Sequence, residues 1–396
     1  MDIVITPKCS SSDSESNSDD HANLWLLLPQ DLMFYIFTFV RLNCLINSVR
    51  YVCKPWAAAI ASSRFAEACE HFHGRSKPGL YVQNRKSKRR SYFLEFKDDV
   101  NGQFERIDLA TPKKMGHVIG TCDGILLLLS TAKQLFVANP VLKSWLTIPS
   151  FPVSQLSVSR QFRYVVRYHV SHHCTIACVP HTAKLKVFYV DVLVFSGVSW
   201  YVFYVLRVGI DHSWKEIARK QAPLLSYTLS KPVCNGGNAL YWITEREVIV
   251  MDVDKEIIVR EYPLPARAMS FGMTSKYLWM GDFLSCIVSE ISQIPYEIYI
   301  LDLDSGIWTL YHEMGPFDYM ATCGHDLNNT IVSFRLWINN QIIFRVSLDQ
   351  NHSRKNIHFG YNVKTKQLRK IEDIELGEFV VWLHNNSLVS LPTTPA

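Results

Sequence analysis

A theme that returns about six times between Leu80 and Ile371 constrains this chain more than any single motif. Each unit opens on a strand-like run, continues through a second, and passes a short turn rich in Asp, Asn or Ser to a Trp or Leu-Pro ending. Gly120-Thr-Cys-Asp-Gly124 leads into Ile125–Leu129, Leu135–Val137, Asn139-Pro140 and Ser144-Trp145. Arg163–Val170, Thr175–Val179 and Val198–Val208 precede Asp211 and Ser213-Trp214. Gly236-Gly237 leads through Leu240-Tyr241-Trp242 to Val248–Val253 and Tyr262-Pro263. Tyr277–Trp279, Ile287-Val288 and Ile298–Leu301 run into Asp302, Asp304-Ser305-Gly306 and Trp308; Ile331–Trp337, Ile342–Val346 and Phe359–Tyr361 end at Leu368 and Ile371. With Leu80–Leu109 this makes about six units, and short β-branched and aromatic runs bounded by turn residues read as strands. Antiparallel sheets of four short strands, repeated at a period near 50, are the signature of a β-propeller. One such sheet is too small to stand alone, whereas a ring of them buries both faces and hides the edges. Phe379–Leu391 is expected to complete the first sheet, so that a strand from each end of the chain closes the ring.

Before the repeats stands one helical block, Leu28–Phe65. Leu32, Tyr35, Ile36, Phe39 and Val40 follow the i, i+3, i+4 spacing of a helix face, which resumes at Leu45, Val49, Val52 and Trp56. Pro29 suits a first turn, where its missing N–H costs nothing, and Asp31 sets a carboxylate near the positive end of the helix dipole. Pro55 breaks the second face, so a new helix is expected near Trp56. Two or three short helices cannot bury this many apolar side chains among themselves, so some must face a partner.

These residues carry a family resemblance. Leu28-Pro29, Asp31-Leu32, Ile36, Val52-Cys53-Lys54 with Trp56, Ile60, Ser62-Ser63 and Phe65 resemble the F-box motif, in its order and spacing. Gly120–Gly124, Asn139-Pro140 with Trp145, and Leu240-Tyr241-Trp242 resemble the kelch-like, F-box-associated C-terminal domain of plant F-box proteins. The resemblance implies a small all-α F-box at 24–74 followed by an all-β kelch-like propeller of about six blades at 75–396, with 1–23 as a tail. It further implies a substrate-recognition adaptor of a Skp–cullin–F-box ubiquitin ligase, not an enzyme and without a cofactor. Leu28, Pro29, Leu32, Ile36, Leu45, Val52, Trp56 and Ile60 would then dock a Skp-type adaptor, or support that surface, with Phe65 helping to hold the last turn. The propeller would hold a protein substrate whose identity the sequence does not carry.

Composition narrows the remaining classes. A hydrophobic share of 48% against 19% charged residues is globular, and an aromatic share of 12% suits β-rich folds. The formal charge of +5 hides an acidic end: Met1–Asn23 carries about −4 and the rest about +9, too diffuse to imply nucleic acid. Cys9–Asp20 is dense in Ser and acid and is expected to stay disordered. Arg85–Arg90, RKSKRR, lies between two strand-like runs and reads as a hairpin loop, with nuclear import as the functional alternative. Ten scattered cysteines, no CxxC pair and no apolar leader before Leu24 read as reduced thiols in a cytoplasmic and/or nuclear protein. The apolar stretch at Val192–Leu206 is about fifteen residues, shorter than a helical membrane span, and its Ser-Gly centre reads as the turn between two buried strands.

Candidate chemistry is sparse. His172-His173-Cys174 with Cys178 and His181 offers zinc's preferred ligands, but on a strand Cys174 and Cys178 stand about 13 Å apart, too far for one tetrahedral ion. Asp98-Asp99, Asp302 with Asp304, and Glu372-Asp373 sit in turn patterns and not as a facing pair, and His312-Glu313 lacks the second histidine of a metalloprotease helix. Tyr168, His169 and Arg335 are placed near blade turns, as candidate contacts for a substrate. The competing reading is a propeller enzyme or ligand-binding protein acting on a small molecule or glycan, with the helices as a cap or dimerisation element.

Overall fold

The computed structural model describes residues 29–40, 42–60, 62, 64–65, 78–84, 91–96, 104–107, 115–152, 173–179, 182, 184–223, 229–234, 237–270, 272–290, 295–324, 331–350, 353–372, 374, 379–385, 387 and 391. The chain divides into two compact units, Met1–Ile60 and Ala61–Ala396.

In the first unit, helices run over Gln30–Thr38, Leu42–Asn47 and Lys54–Ile60, with a 3₁₀ turn at Val49–Tyr51. Pro29 is the N-cap, with extended backbone, and Asp31 lies in the first turn. The last helix begins at Lys54, two residues ahead of the expected Trp56. Pro55 therefore sits inside its first turn, where a missing donor is harmless. Phe37 meets Trp56 edge to face at 4.9 Å between centroids, tying the first helix to the last.

The second unit holds six four-stranded antiparallel sheets. In spatial order, sheet I is Phe379–Asn385, Pro78–Asn84, Tyr92–Phe96 and Phe104–Ile107. Sheet II is His117–Cys122, Ile125–Leu129, Leu135–Asn139 and Ser144–Ile148; sheet III is Cys174–Val179, Lys184–Phe195, Val198–Arg207 and Lys215–Ala222. Sheet IV is Val233–Cys234, Ala239–Ile243, Glu247–Asp252 and Ile257–Pro263; sheet V is Met273–Met280, Phe283–Glu290, Tyr296–Leu301 and Trp308–Met314. Sheet VI is Ile331–Ile338, Gln341–Gln350, Ser353–Asn362 and Gln367–Lys370.

The first strands make the ring. That of sheet I touches those of VI and II, that of II touches III, that of IV touches V, and that of V touches VI. The remaining junction, III to IV, is filled by a common core in which Phe188, Val190 and Phe203 pack with Leu240, Trp242 and Met251. The described strands of the second unit thus form a six-bladed β-propeller, each blade carrying its first strand at the axis. Apolar cores also join II to III, IV to V, V to VI and VI to I. The expected closure is present: Leu80 pairs with Leu383 and Val82 with Val381, so the C-terminal strand lies innermost in the blade built by the N-terminal ones.

Local chemistry explains the hairpins. Asp123-Gly124, Ser196-Gly197 and Asn339-Asn340 all have positive φ at both central positions, the conformation whose twist matches paired strands. The Ser196-Gly197 turn joins Lys184–Phe195 to Val198–Arg207, so the long apolar stretch is two paired strands as expected. Among the described residues no helix is long and apolar enough to cross a membrane. Blades III, IV and V share an irregularity that the repeats did not announce. Each shifts register between its third and fourth strands, at Phe203/Tyr204, Val250/Met251 and Ile298/Tyr299.

One correction concerns helix content. The N-terminal block is not the only helical segment, because Tyr319–Cys323 is a short helix between blades V and VI. The Asp318 side chain accepts from the Ala321 N–H, and Gly324 ends the helix in the left-handed region. Cys9–Asp20, Arg85–Arg90 and Arg163–Val170 lie outside the described residues.

Candidate functional site

The first helix divides its apolar residues between two sides. Phe34 and Phe37 are buried, whereas Leu32 (44% exposed), Tyr35, Ile36 (42%) and Phe39 are open to solvent. The spacing 32, 35, 36, 39 is one continuous stripe on a 3.6-residue helix. Tyr35 and Phe39 pack edge to face at 4.9 Å, which holds the lower half of the stripe in shape. Tyr51 and Val52 (63% exposed) add a second exposed apolar step in the same unit.

The residues assigned to adaptor docking by resemblance therefore fall into three groups. Pro29, Leu32, Ile36 and Val52 are exposed and can be touched. Leu45 and Ile60 are buried at 2%, and Trp56 is half-buried against Phe37, so these act by holding the helices and not by contact. Leu28 lies outside the described residues. Phe65 is fully buried and its N–H donates to the Ser62 hydroxyl at 3.2 Å. Tyr35, Phe39 and Tyr51, which the docking assignment did not include, belong to the exposed set, and the helical spacing of the first two was the signal for them.

The histidine–cysteine segment behaves as strand geometry requires. Cys174, Ile176 and Cys178 share one face of the innermost strand of blade III and pack into the core with blade II. Burial pushes the Cys174 thiol well above its ordinary range. His173 Nδ1 lies 3.1 Å from the Val190 carbonyl, and His172 and His181 lie outside the described residues. Among the described residues no group of three or more His, Cys, Asp or Glu side chains could hold a metal ion.

The acidic turns that are described are structural as well, whereas Asp98, Asp99 and Asp373 lie outside the described residues. The Asp302 carboxylate accepts from the Asp304 N–H at 3.0 Å and from the Ser305 hydroxyl, with Gly306 at positive φ closing the turn. Glu372 pairs with Lys370 at 2.7 Å, and His312 Nε2 lies 2.9 Å from the Tyr361 hydroxyl on the neighbouring blade.

At the axis the structure differs from the reading of single residues. Arg335 is not near a blade turn but within the innermost strand of blade VI, where the register shifts between Phe334 and Leu336. Tyr168 and His169 lie outside the described residues. Two cations that the sequence reading passed over stand close by: Lys231, two residues before the first strand of blade IV, and Lys276, within that of blade V. The Lys231 ammonium sits 3.4 Å from the ring centroid of Trp382, on the innermost strand of blade I. Burial, then the charges of Lys276 and Arg335, holds the Lys231 ammonium well below its usual range. Burial and the Arg335 charge bring Lys276 down to about 8.

No family model matches the chain, and no curated protein matches it in sequence. Among solved structures it is similar to an oligogalacturonate lyase from Vibrio parahaemolyticus, at 10% identity over 71% of this chain and 70% of that one, with a TM-score of 0.40. It is also similar to TolB from Acinetobacter baumannii (10% identity, 80% and 71% covered, TM-score 0.41). The WD40 domain of SCAP from fission yeast is a third such structure (11% identity, 80% and 97% covered, TM-score 0.31). Likeness at this level says nothing of activity; the propeller rests on its own strand order and ring contacts.

Proposed function

We propose that the protein is the substrate-recognition subunit of a Skp–cullin–F-box type ubiquitin ligase, in which the helical unit is an F-box docking a Skp-type adaptor and the propeller binds the substrate. The observation that carries this reading is the exposed stripe Leu32, Tyr35, Ile36 and Phe39 with Tyr51 and Val52. Six large apolar side chains left open in so short a unit form an interaction surface, because monomeric proteins bury such patches or use them. They coincide with the segment that resembles the F-box motif, from Pro29 to Trp56. On this reading the protein makes and breaks no bond. It raises the effective concentration of a substrate lysine near a charged conjugating enzyme, in the cytoplasm and/or nucleus.

The test is co-purification of the full chain with a Skp-type adaptor. Leu32→Asp with Ile36→Asp is expected to abolish capture while leaving circular dichroism and the propeller's Tm unchanged, since both side chains are already exposed. Failure of the wild type to bind any Skp-type adaptor, or equal binding by the double variant, overturns the proposal.

A further inference from the structure

Buried lysines in folded proteins are paired or solvated, because an ammonium removed from water without compensation is costly. This propeller contains a lysine that obeys the rule. Lys186, 5% exposed, donates to the Val253 and Asp254 carbonyls at 3.0 Å each and meets Glu256 at 2.8 Å. Lys220, half-buried, likewise meets Glu247 and Glu261. Lys231 and Lys276 at the axis are not paired in this way. Among the described residues neither Lys231 nor Lys276 makes an ion pair, and the charged groups that act on them are each other and Arg335. Lys231 instead rests on the face of Trp382, whose own indole N–H is buried without an acceptor among the described residues. Both lysines are only half-buried by surface, so solvent and solutes reach them.

Placement makes this a site and not a coincidence of charge. Lys276 lies on the same strand face as Leu278 and Met280, the face packed toward blade VI, whose innermost strand carries Arg335. The innermost strands of IV and V touch, as do those of V and VI and those of VI and I. Lys231, Lys276, Arg335 and Trp382 therefore come from four successive blades around one axis. Farther out in blade VI, Arg345 stands opposite His358, so the cationic character continues away from the axis. Burial and the charges of Arg345 and Arg335 bring the imidazole down to about 3, so it contributes no charge at neutral pH. Among the described residues Lys231 and Lys276 thus face like charges and no carboxylate, an arrangement whose missing component is negative.

We propose that the propeller axis binds a small oxyanion of two or more negative charges, held by Lys231, Lys276 and Arg335 beside Trp382. Phosphate esters and polycarboxylates share that chemistry. The proposal does not depend on the ligase reading, since it concerns the propeller alone, and either can fail without the other. A site of this kind costs stability when empty, because like charges are held together in a poorly solvated place, and returns it when filled.

Thermal unfolding of the full chain, at constant ionic strength, with sodium pyrophosphate in one arm and sodium citrate in the other, tests this. Either anion is expected to raise the wild-type Tm progressively with concentration, and the arm that does so identifies phosphate or carboxylate as the preferred group. Lys276→Met is expected to raise the Tm of the free protein by about 2 °C or more, by relieving like-charge repulsion. The same substitution should weaken anion binding about tenfold or more. Lys231→Met should weaken binding likewise, while Lys133→Met, on an exposed turn, should leave it unchanged. The proposal is overturned if neither anion shifts the Tm, if the shift survives in both axial variants, or if Lys133→Met reduces it as much as they do. A Lys276→Met variant less stable than wild type in the absence of anion would also overturn it, since the lysine would then have a structural role.

Discussion

At Gly124 a single hydrogen in place of a side chain permits both a turn and the ring's closure. Its φ of +79° is one that L side chains rarely adopt, and a Cβ there would meet Ser387 and the Asn385 carbonyl of the C-terminal segment. Asn139 reinforces the same seam, donating its side-chain N–H to the Ser387 carbonyl at 2.9 Å while its oxygen accepts from Val141. Gly124→Ala is therefore expected to destabilise the propeller by about 2 kcal/mol or more, combining backbone strain with a clash. Urea denaturation followed by tryptophan fluorescence measures this, and a change under about 0.5 kcal/mol would show that the seam yields. Lys276 illustrates a residue whose role depends on pH. With a folded pKa of about 8 against an ordinary value near 10.5, the unfolded chain binds the extra proton between those pH values. The penalty for the folded charge is thus complete below about pH 8 and fades as the pH rises toward about 10.5. The stability advantage of Lys276→Met should be largest at pH 7 and shrink through pH 9.5; an advantage independent of pH would contradict the electrostatic account.

Elements are tied together differently at each junction. Most blades meet through apolar cores, whereas blades III and IV add a polar clasp: Lys186, on the second strand of III, reaches two carbonyls and a carboxylate in the turn after the third strand of IV. Among the described residues the first strands of III and IV approach each other less closely than those at the other junctions, and the clasp supplements the shared core there. Lys186→Met should cost about 3 kcal/mol, leaving two carbonyls and Glu256 without their shared donor. Equilibrium denaturation reads the loss, and loss of the same size in Glu256→Gln would assign it to the ion pair and not to the carbonyl bonds. The recurring register shift before the fourth strand in blades III, IV and V is a repeat expressed in backbone geometry. No residue type marks it in the sequence, since a bulge answers to twist and neighbouring packing.

Over the whole molecule, two buried imidazoles make the propeller sensitive to acid. His358 and His384 are buried, with no acceptor or donor for either ring nitrogen among the described residues, and burial brings both down to about 3. His384 sits between the rings of Tyr81 and Phe93, at 5.7 Å from each. The unfolded chain takes up these protons near pH 6.5 and the folded one does not. Stability is therefore complete above that pH and is lost progressively toward pH 3. At pH 5 each imidazole accounts for a loss of about 2 kcal/mol. His384→Leu should move the midpoint of acid unfolding to lower pH; an unmoved midpoint would mean that the imidazole is solvated or paired.

Much of this architecture is legible in the sequence. Short β-branched and aromatic runs and turn residues such as Asp123-Gly124 and Ser196-Gly197 act locally, so about six units and their hairpins could be read directly from residues. The stripe Leu32, Ile36 and its neighbours was equally legible, because helical spacing needs only the residues it contains. The short Tyr319–Cys323 helix was not, since five residues are too few to show a period. The axial cluster was not legible either. Lys231, Lys276, Arg335 and Trp382 are far apart in sequence, and a lone lysine in or beside a strand looks like any solvated side chain. Local chemistry determined the strands, turns and exposed helical stripe; ring closure decided which lysines would face one another, with no counter-charge among the described residues.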